Sequence, residues 1–226
     1  MRFQTVIFDL HGTLVFSRPG WGEEMDAEVA AALGAPARDF VREWGARGYR
    51  RTIGACASPG DCIEEVCRAL GLTVTPEQIE RAVATRLACI RRNLLPRPGA
   101  VDLLRRLRDM GLKTGLLSNC DPDIPIIWLD MPFHPLIDDA VFSCKVGMAK
   151  PQWEIFELAC RRLATPAERC VYVADGAGDE LETAQSRGSY AVRLRPMEGE
   201  PSPEGADRWH GPAIDALPQL LDLIQP

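Results

Sequence analysis

The chain has 226 residues, of which 46% are apolar and 26% charged, and a formal charge of −6 at pH 7. That length can bury a substantial core, as one large domain or as a core with a smaller insertion, and the composition excludes disorder as the main state. The acidic balance argues against a nucleic-acid binder working through bulk electrostatics, because affinity for a phosphate backbone needs a basic face.

Residues 5–8 form a short apolar run that stops at Asp9, which reads as a buried strand. Residues 17–93 contain no convincing strand. They carry helical patterns over 23–33, 39–47, 61–70 and 76–90, the last with Thr75 as cap and Pro76 at the first helical position. A helical insertion directly after the first strand is the economical interpretation, with Pro96, Arg97, Pro98 and Gly99 as its return hinge. The expected organisation is therefore a core of residues 1–16 and 94–226 and a helical cap of residues 17–93.

Beyond the hinge, strand-like and helical patterns alternate. A helix over 100–110 closes at Gly111, a run over 114–117 stops at Ser118, and another over 140–142 stops at Ser143. A helix over 152–163 precedes a run over 170–173 that reaches Asp175. A helix over 179–187 closes at Gly188, and a strand follows over 190–194. Residues 196–212 read as a Pro/Gly-rich loop and 214–224 as a terminal helix. The alternation predicts an α/β fold, a doubly wound parallel sheet covered on both faces, with the inserted helical cap. Ligands bind such sheets at the carboxyl ends of the strands, where strand order reverses. Asp9, Ser118 and Asp175, distant in sequence, are expected to meet there.

Residues 8–14 (Phe-Asp-Leu-His-Gly-Thr-Leu), Leu117-Ser118-Asn119, Lys150-Pro151 and the run from Val173 to Asp179 stand in this order, each at the end of an expected element. Together they resemble the motifs of the haloacid dehalogenase-like hydrolases, and the similarity spans nearly the whole chain. A carboxylate nucleophile divides one difficult displacement at phosphorus into two easier ones, and Asp9 is the candidate. A divalent cation lets two anions approach, and magnesium takes oxygen ligands while keeping waters. The resemblance implies Mg²⁺ held by the Asp9 side chain, the His11 carbonyl, Asp175 and Asp179. It also implies phosphoryl-group contacts from Gly12, Thr13, Ser118, Asn119 and Lys150, with Lys150 balancing the charge of Asp9. Taken singly, an acid at a helix start, a turn glycine and a solvated lysine explain these residues equally well.

His11 departs from the family pattern, because phosphatases of this kind carry a second Asp two residues after the nucleophile. Histidine can shuttle protons near neutrality; the alternatives are substrate binding or reduced activity. Haloacid dehalogenases proper also lack the second Asp, need no metal and have no use for cation-binding acids, so Asp175 and Asp179 favour hydrolysis of a small phosphate monoester. Metal-independent dehalogenation and a weakly catalytic binding protein are the rival readings.

In the cap, Trp44, Tyr49, Arg47, Arg50 and Arg51 present an aromatic face and cationic groups, or else Trp44 is core and the arginines are solvated surface. His134 and His210 carry no metal spacing. The eight cysteines show no zinc spacing and read as reduced thiols in a core. No signal-peptide pattern or membrane-length apolar stretch is present, so the expectation is a cytoplasmic monomer or homodimer acting on a small phosphorylated molecule, without nucleic-acid or membrane partners.

Overall fold

The computed structural model describes residues 2–224. In chain order the first elements are β1 (Thr5–Phe8), β2 (Val15–Phe16), α1 (Trp21–Leu33), α2 (Ala37–Ala46), α3 (Gly48–Thr52), α4 (Pro59–Ala69), α5 (Pro76–Asn93) and β3 (Leu95–Pro96). There follow α6 (Ala100–Asp109), β4 (Lys113–Ser118), α7 (Asp123–Ile127), β5 (Asp139–Phe142), α8 (Ser143–Val146) and α9 (Trp153–Arg162). The last are β6 (Cys170–Ala174), α10 (Glu180–Ser186), β7 (Tyr190–Leu194), β8 (Ala213–Ile214) and α11 (Leu220–Ile224).

Six strands form one parallel sheet in the order β5-β4-β1-β6-β7-β8. β1 lies between β4 and β6, and the chain builds outward on one side of it before crossing to the other, so strand order reverses at β1. Phe8 is in register with both Leu116 and Val173, which brings Asp9, Ser118 and Asp175 to the same edge of the sheet. Alternate side chains serve the two faces: Val6, Phe8, Val171 and Val173 join one buried cluster, and Ile7, Tyr172 and Ala174 the other. Both faces are covered, as an all-parallel sheet requires, and the α/β doubly wound architecture is the one expected.

The helices of residues 21–93 follow local rules. Thr75 accepts from the Gln78 amide while its own amide donates to the Gln78 side chain, and Pro76 supplies the first helical position of α5. Ser58 and Asp61 form the same reciprocal cap on α4. The two strands flanking these helices pair antiparallel, Val15 with Pro96 and Phe16 with Leu95. Of the expected hinge over 96–99, Pro96 therefore belongs to a two-stranded ribbon, too short to leave a periodic signal.

A buried ionic cluster ties the helices to the loop after β4. Arg51 Nε donates to Asp121 at 2.8 Å, Arg86 Nε donates to Asp123 at 2.8 Å, and Arg86 also reaches Asp121 and Asp26. Both guanidinium carbons lie over the Trp44 ring, at 3.8 and 4.2 Å from its centroid. Trp44 is buried and Arg51 turns inward, whereas Arg47 pairs with Glu43, Arg50 faces Glu65 and Tyr49 is exposed.

Two expectations are corrected. Residues 214–224 do not make one helix: Ile214 pairs with Leu194 as the last strand, and only Leu220–Ile224 is α-helical. Six cysteines are buried free thiols, but Cys56 and Cys62 are joined in a disulfide, since the turn into α4 brings their Cα atoms to 5.5 Å.

Candidate active site

Asp9 leaves the end of β1 with its amide bonded to the Val173 carbonyl at 2.9 Å, so the neighbouring strand fixes its backbone. Its carboxylate is buried and receives Lys150 Nζ at 2.5 Å. The same ammonium donates to Glu180 Oε2 at 2.6 Å and to the Tyr172 hydroxyl at 3.1 Å, and that hydroxyl donates to Glu180 at 2.7 Å. Burial alone would pull the Lys150 ammonium down, but the charges of Asp9 and Glu180 outweigh it and hold the group above the usual amine range. Lys150 is therefore a fixed cation between two buried carboxylates.

Lys150 is positioned through its backbone. Asn119 Oδ1 accepts from the Lys150 amide at 2.8 Å and Asn119 Nδ2 donates to the Lys150 carbonyl at 2.9 Å. Both ends of the Asn119 amide are thus engaged with the main chain of Lys150. Ser118 is fully buried at the end of β4, beside Asn119.

Asp175 follows β6 on the opposite side of Asp9. Its Oδ1 accepts from the Ala177 amide at 3.1 Å, and burial, reinforced by the charges of Asp9 and Glu180, pushes its carboxyl up to about 8. Gly12 makes this position available: it sits at φ 71°, and a Cβ there would collide with the Asp175 carboxylate. Thr13 is buried with its hydroxyl unpartnered. Burial, and next the charge of Lys150, lower the His11 imidazole to about 4, leaving it neutral at physiological pH. A cleft of about 300 Å³ opens onto Asp9, His11, Asn119, Lys150, Asp175 and Glu180.

Asp179 stands elsewhere. It is the residue before α10, half exposed, with its carboxylate 2.8 Å from Arg208. The next residue, Glu180, is the one turned inward, and its Oε1 is buried without a partner. Sequence reading missed Glu180 and Tyr172. Glu180 lies one turn before the buried Ala184 and next to the buried Leu181, which marks the inward face of α10. Tyr172 shares a strand face with Cys170 and Ala174, a period-2 signal that separates it from Val171 and Val173.

The profile of the haloacid dehalogenase-like hydrolases matches residues 3–186. Glyceraldehyde 3-phosphate phosphatases are similar: that of Methanocaldococcus jannaschii is 29% identical over 135 residues, 58% of each chain. That of Methanopyrus kandleri is 28% identical over 163 residues, 70% of this chain and 69% of the relative. A (S)-2-haloacid dehalogenase of Pseudomonas putida is 27% identical over 181 residues, 78% of each chain. Among solved structures, a magnesium complex of a haloacid dehalogenase family enzyme from Bacteroides thetaiotaomicron superposes with a TM-score of 0.68 at 18% identity, covering 88% of this chain and 96% of that one. The matched stretch exceeds three quarters of the sequence and contains Asp9, Ser118, Lys150, Asp175 and Glu180: the chain belongs to the haloacid dehalogenase-like hydrolases.

Proposed function

We propose that the protein hydrolyses a small phosphate monoester with Asp9 as the nucleophile, forming and then hydrolysing an aspartyl phosphate. The observation that carries this reading is the charge distribution around Asp9. Lys150 neutralises one of the three convergent acids, while Asp175, crowded by Asp9 and Glu180, is pushed up to about 8. Excess buried negative charge of this kind calls for a cation.

Among the described residues no three acidic, His or Cys side chains are grouped as a metal centre. Two carboxylates and a backbone carbonyl nevertheless suit Mg²⁺, which usually takes one or two carboxylates and retains waters. Asp9, Asp175 and the His11 carbonyl would hold it, and the unpartnered Glu180 oxygen supplies a further acceptor. When bound, the ion supplies charge neutralisation for the approach of an anionic phosphate. The protein's own part is orientation. Lys150 fixes one Asp9 oxygen, Ser118 and the Asn119 amide would hold the transferred group, and the helices of residues 17–93 act as a cap that excludes water. Neutral His11 stands in place of the family's second Asp and serves as a proton acceptor. The relatives named for glyceraldehyde 3-phosphate support a short phosphorylated metabolite as substrate.

The second reading, metal-independent attack of Asp9 on a carbon–halogen bond, draws on the outward turn of Asp179, which leaves one fewer carboxylate for a cation. Phosphate release from glyceraldehyde 3-phosphate, phosphoglycolate and an aryl phosphate, measured with Mg²⁺ and with chelator, decides between them. Mg²⁺-dependent release abolished by Asp9→Asn is the expected result. Halide release from 2-haloacids in chelator, with no phosphate release, overturns it.

A further inference from the structure

Cys120 and Cys144 are both buried free thiols, with Sγ atoms 3.9 Å apart. Each lies two residues past a pair of register partners, Ser118 of β4 and Phe142 of β5, so adjacent strands deliver them side by side at the catalytic edge of the sheet. The loop that carries Cys120 and the start of α8, which carries Cys144, are already joined: the Cys120 amide donates to Ser143 Oγ at 2.9 Å, and the Ser143 hydroxyl donates back to the Cys120 carbonyl at 3.4 Å. The loop also contains Asn119, which clamps the main chain of Lys150. The start of α8 bears on the helical segment, because the α-carbon of Gly54 packs so close to the Cys144 carbonyl that a Cβ there would collide with it.

We infer that Cys120 and Cys144 form an oxidative modification site, closed to a disulfide by a hydroperoxide, that switches the neighbouring catalytic loops off. Bond formation requires the sulfurs to approach by about 2 Å, within the reach of side-chain rotation and a small loop shift. Cys144 is the attacking sulfur: its thiol is lowered by the hydrogen bond from Cys120 and, more weakly, by the charge of Lys145. Its thiolate attacks one peroxide oxygen, the O–O bond breaks, and the leaving oxygen departs as water after taking up a proton, or as an alcohol from an alkyl hydroperoxide. The Cys144 sulfenic acid so formed is attacked by the Cys120 sulfur; the S–O bond breaks, a second water leaves and the S–S bond forms. The two thiols lose two electrons and two protons, and the peroxide is reduced by the same two electrons. Because Asn119 is adjacent to Cys120, the closure shifts the clamp on Lys150.

A second free pair, Cys160 and Cys170, has the same 3.9 Å sulfur separation but lies at the start of β6, the end of the strand away from Asp175. It provides an internal control.

The test treats the full-length protein with one equivalent of hydrogen peroxide, then maps peptides without reduction and measures phosphomonoesterase activity before and after dithiothreitol. Expected are a 120–144 cross-link and an activity loss of about tenfold or more, reversed by the reductant. Cys144→Ser and Cys120→Ala should keep the untreated activity and escape inactivation, while Cys160→Ser remains sensitive. A map without the 120–144 link, or Cys144→Ser and Cys120→Ala proteins as sensitive as wild type, overturns the inference. The loss of activity rests on the phosphatase reading, whereas the peptide map does not: a cross-link in a protein that releases no phosphate upholds the site and removes the proposed function.

Discussion

The Lys150 ammonium and the Glu180 carboxylate meet 2.6 Å apart inside the protein, with side chains only 6% and 2% exposed. Asp9 completes the triad on the same ammonium at 2.5 Å. Removing the cation leaves two buried carboxylates facing one another, and breaking a buried pair in this way costs about 3–5 kcal/mol. Lys150→Met is therefore expected to lose that much stability in urea unfolding, with turnover lost as well. Lys150→Arg should not restore activity, because a planar fork cannot present one point charge to both acids.

Asp179 and Glu180 provide a sharper comparison because they are adjacent. The Asp179 ion pair with Arg208 has side chains 54% and 63% exposed, the kind worth about 0–1 kcal/mol. Asp179→Asn should thus leave both melting temperature and kcat close to wild type. Glu180→Gln removes the second counter-charge of Lys150 and should lower kcat by about tenfold or more. Equal effects of the two changes in a side-by-side assay would return Asp179 to the site.

Why the sequence separates these neighbours poorly is a matter of backbone. Gly176 and Gly178 both adopt positive φ, 92° and 62°, so the turn after β6 does not follow helical or strand periodicity and spacing alone cannot tell which acid points inward. The convergence of Asp9, Ser118 and Asp175, by contrast, was legible, because buried parallel strands carry unbroken apolar runs that end where the chain meets solvent. Asn119 was visible as a motif residue, but its partner is the main chain of Lys150, 31 residues away, which no local pattern reveals. The two residues of β8, Ala213 and Ile214, are too few to show a period, so the helical pattern over 214–224 absorbs Ile214.

The raised Asp175 carboxyl has a defined consequence for stability. Its ordinary unfolded value is about 3.9, and in the fold it is about 8. The native state therefore holds this proton more tightly than the unfolded chain, and the contribution is full below about pH 4 and lost as pH rises toward 8. In chelator, the melting temperature of wild type should fall relative to Asp175→Asn across that window. Mg²⁺ should reverse the fall, and its affinity should weaken as pH drops below about 8, because binding must expel the proton. Parallel melting curves for the two proteins from pH 5 to 9 would refute this account.

His11 is expected to be silent near neutrality. Its imidazole is lowered to about 4 by burial and then by the charge of Lys150, so no ionisation of this residue falls near the usual 6.5. The acid limb of kcat/KM for wild type should show no break at pH 6–7 that His11→Gln removes. If the base role holds, His11→Gln should lower kcat by about a hundredfold with little change in KM. A break near pH 6.5 that disappears in the variant would mean that the imidazole is charged during turnover and acts as the acid.

Arg86 governs how the helical segment sits on the sheet. It touches Asp26 of α1, Asp121 of the loop after β4 and Asp123 at the start of α7, and it lies over the Trp44 ring of α2. Burial pushes the Asp26 carboxyl up to about 6 and the Asp123 carboxyl upward as well, with Arg86 opposing both shifts. Arg86→Met strips that opposition from both, and the two raised carboxyls should climb further. The variant is expected to lose about 3–5 kcal/mol at pH 8 and to recover part of it at pH 5, where Asp26 is protonated. Guanidinium unfolding at the two pH values measures the difference. A loss that does not depend on pH would place the energy in the Trp44 contact rather than in the charges.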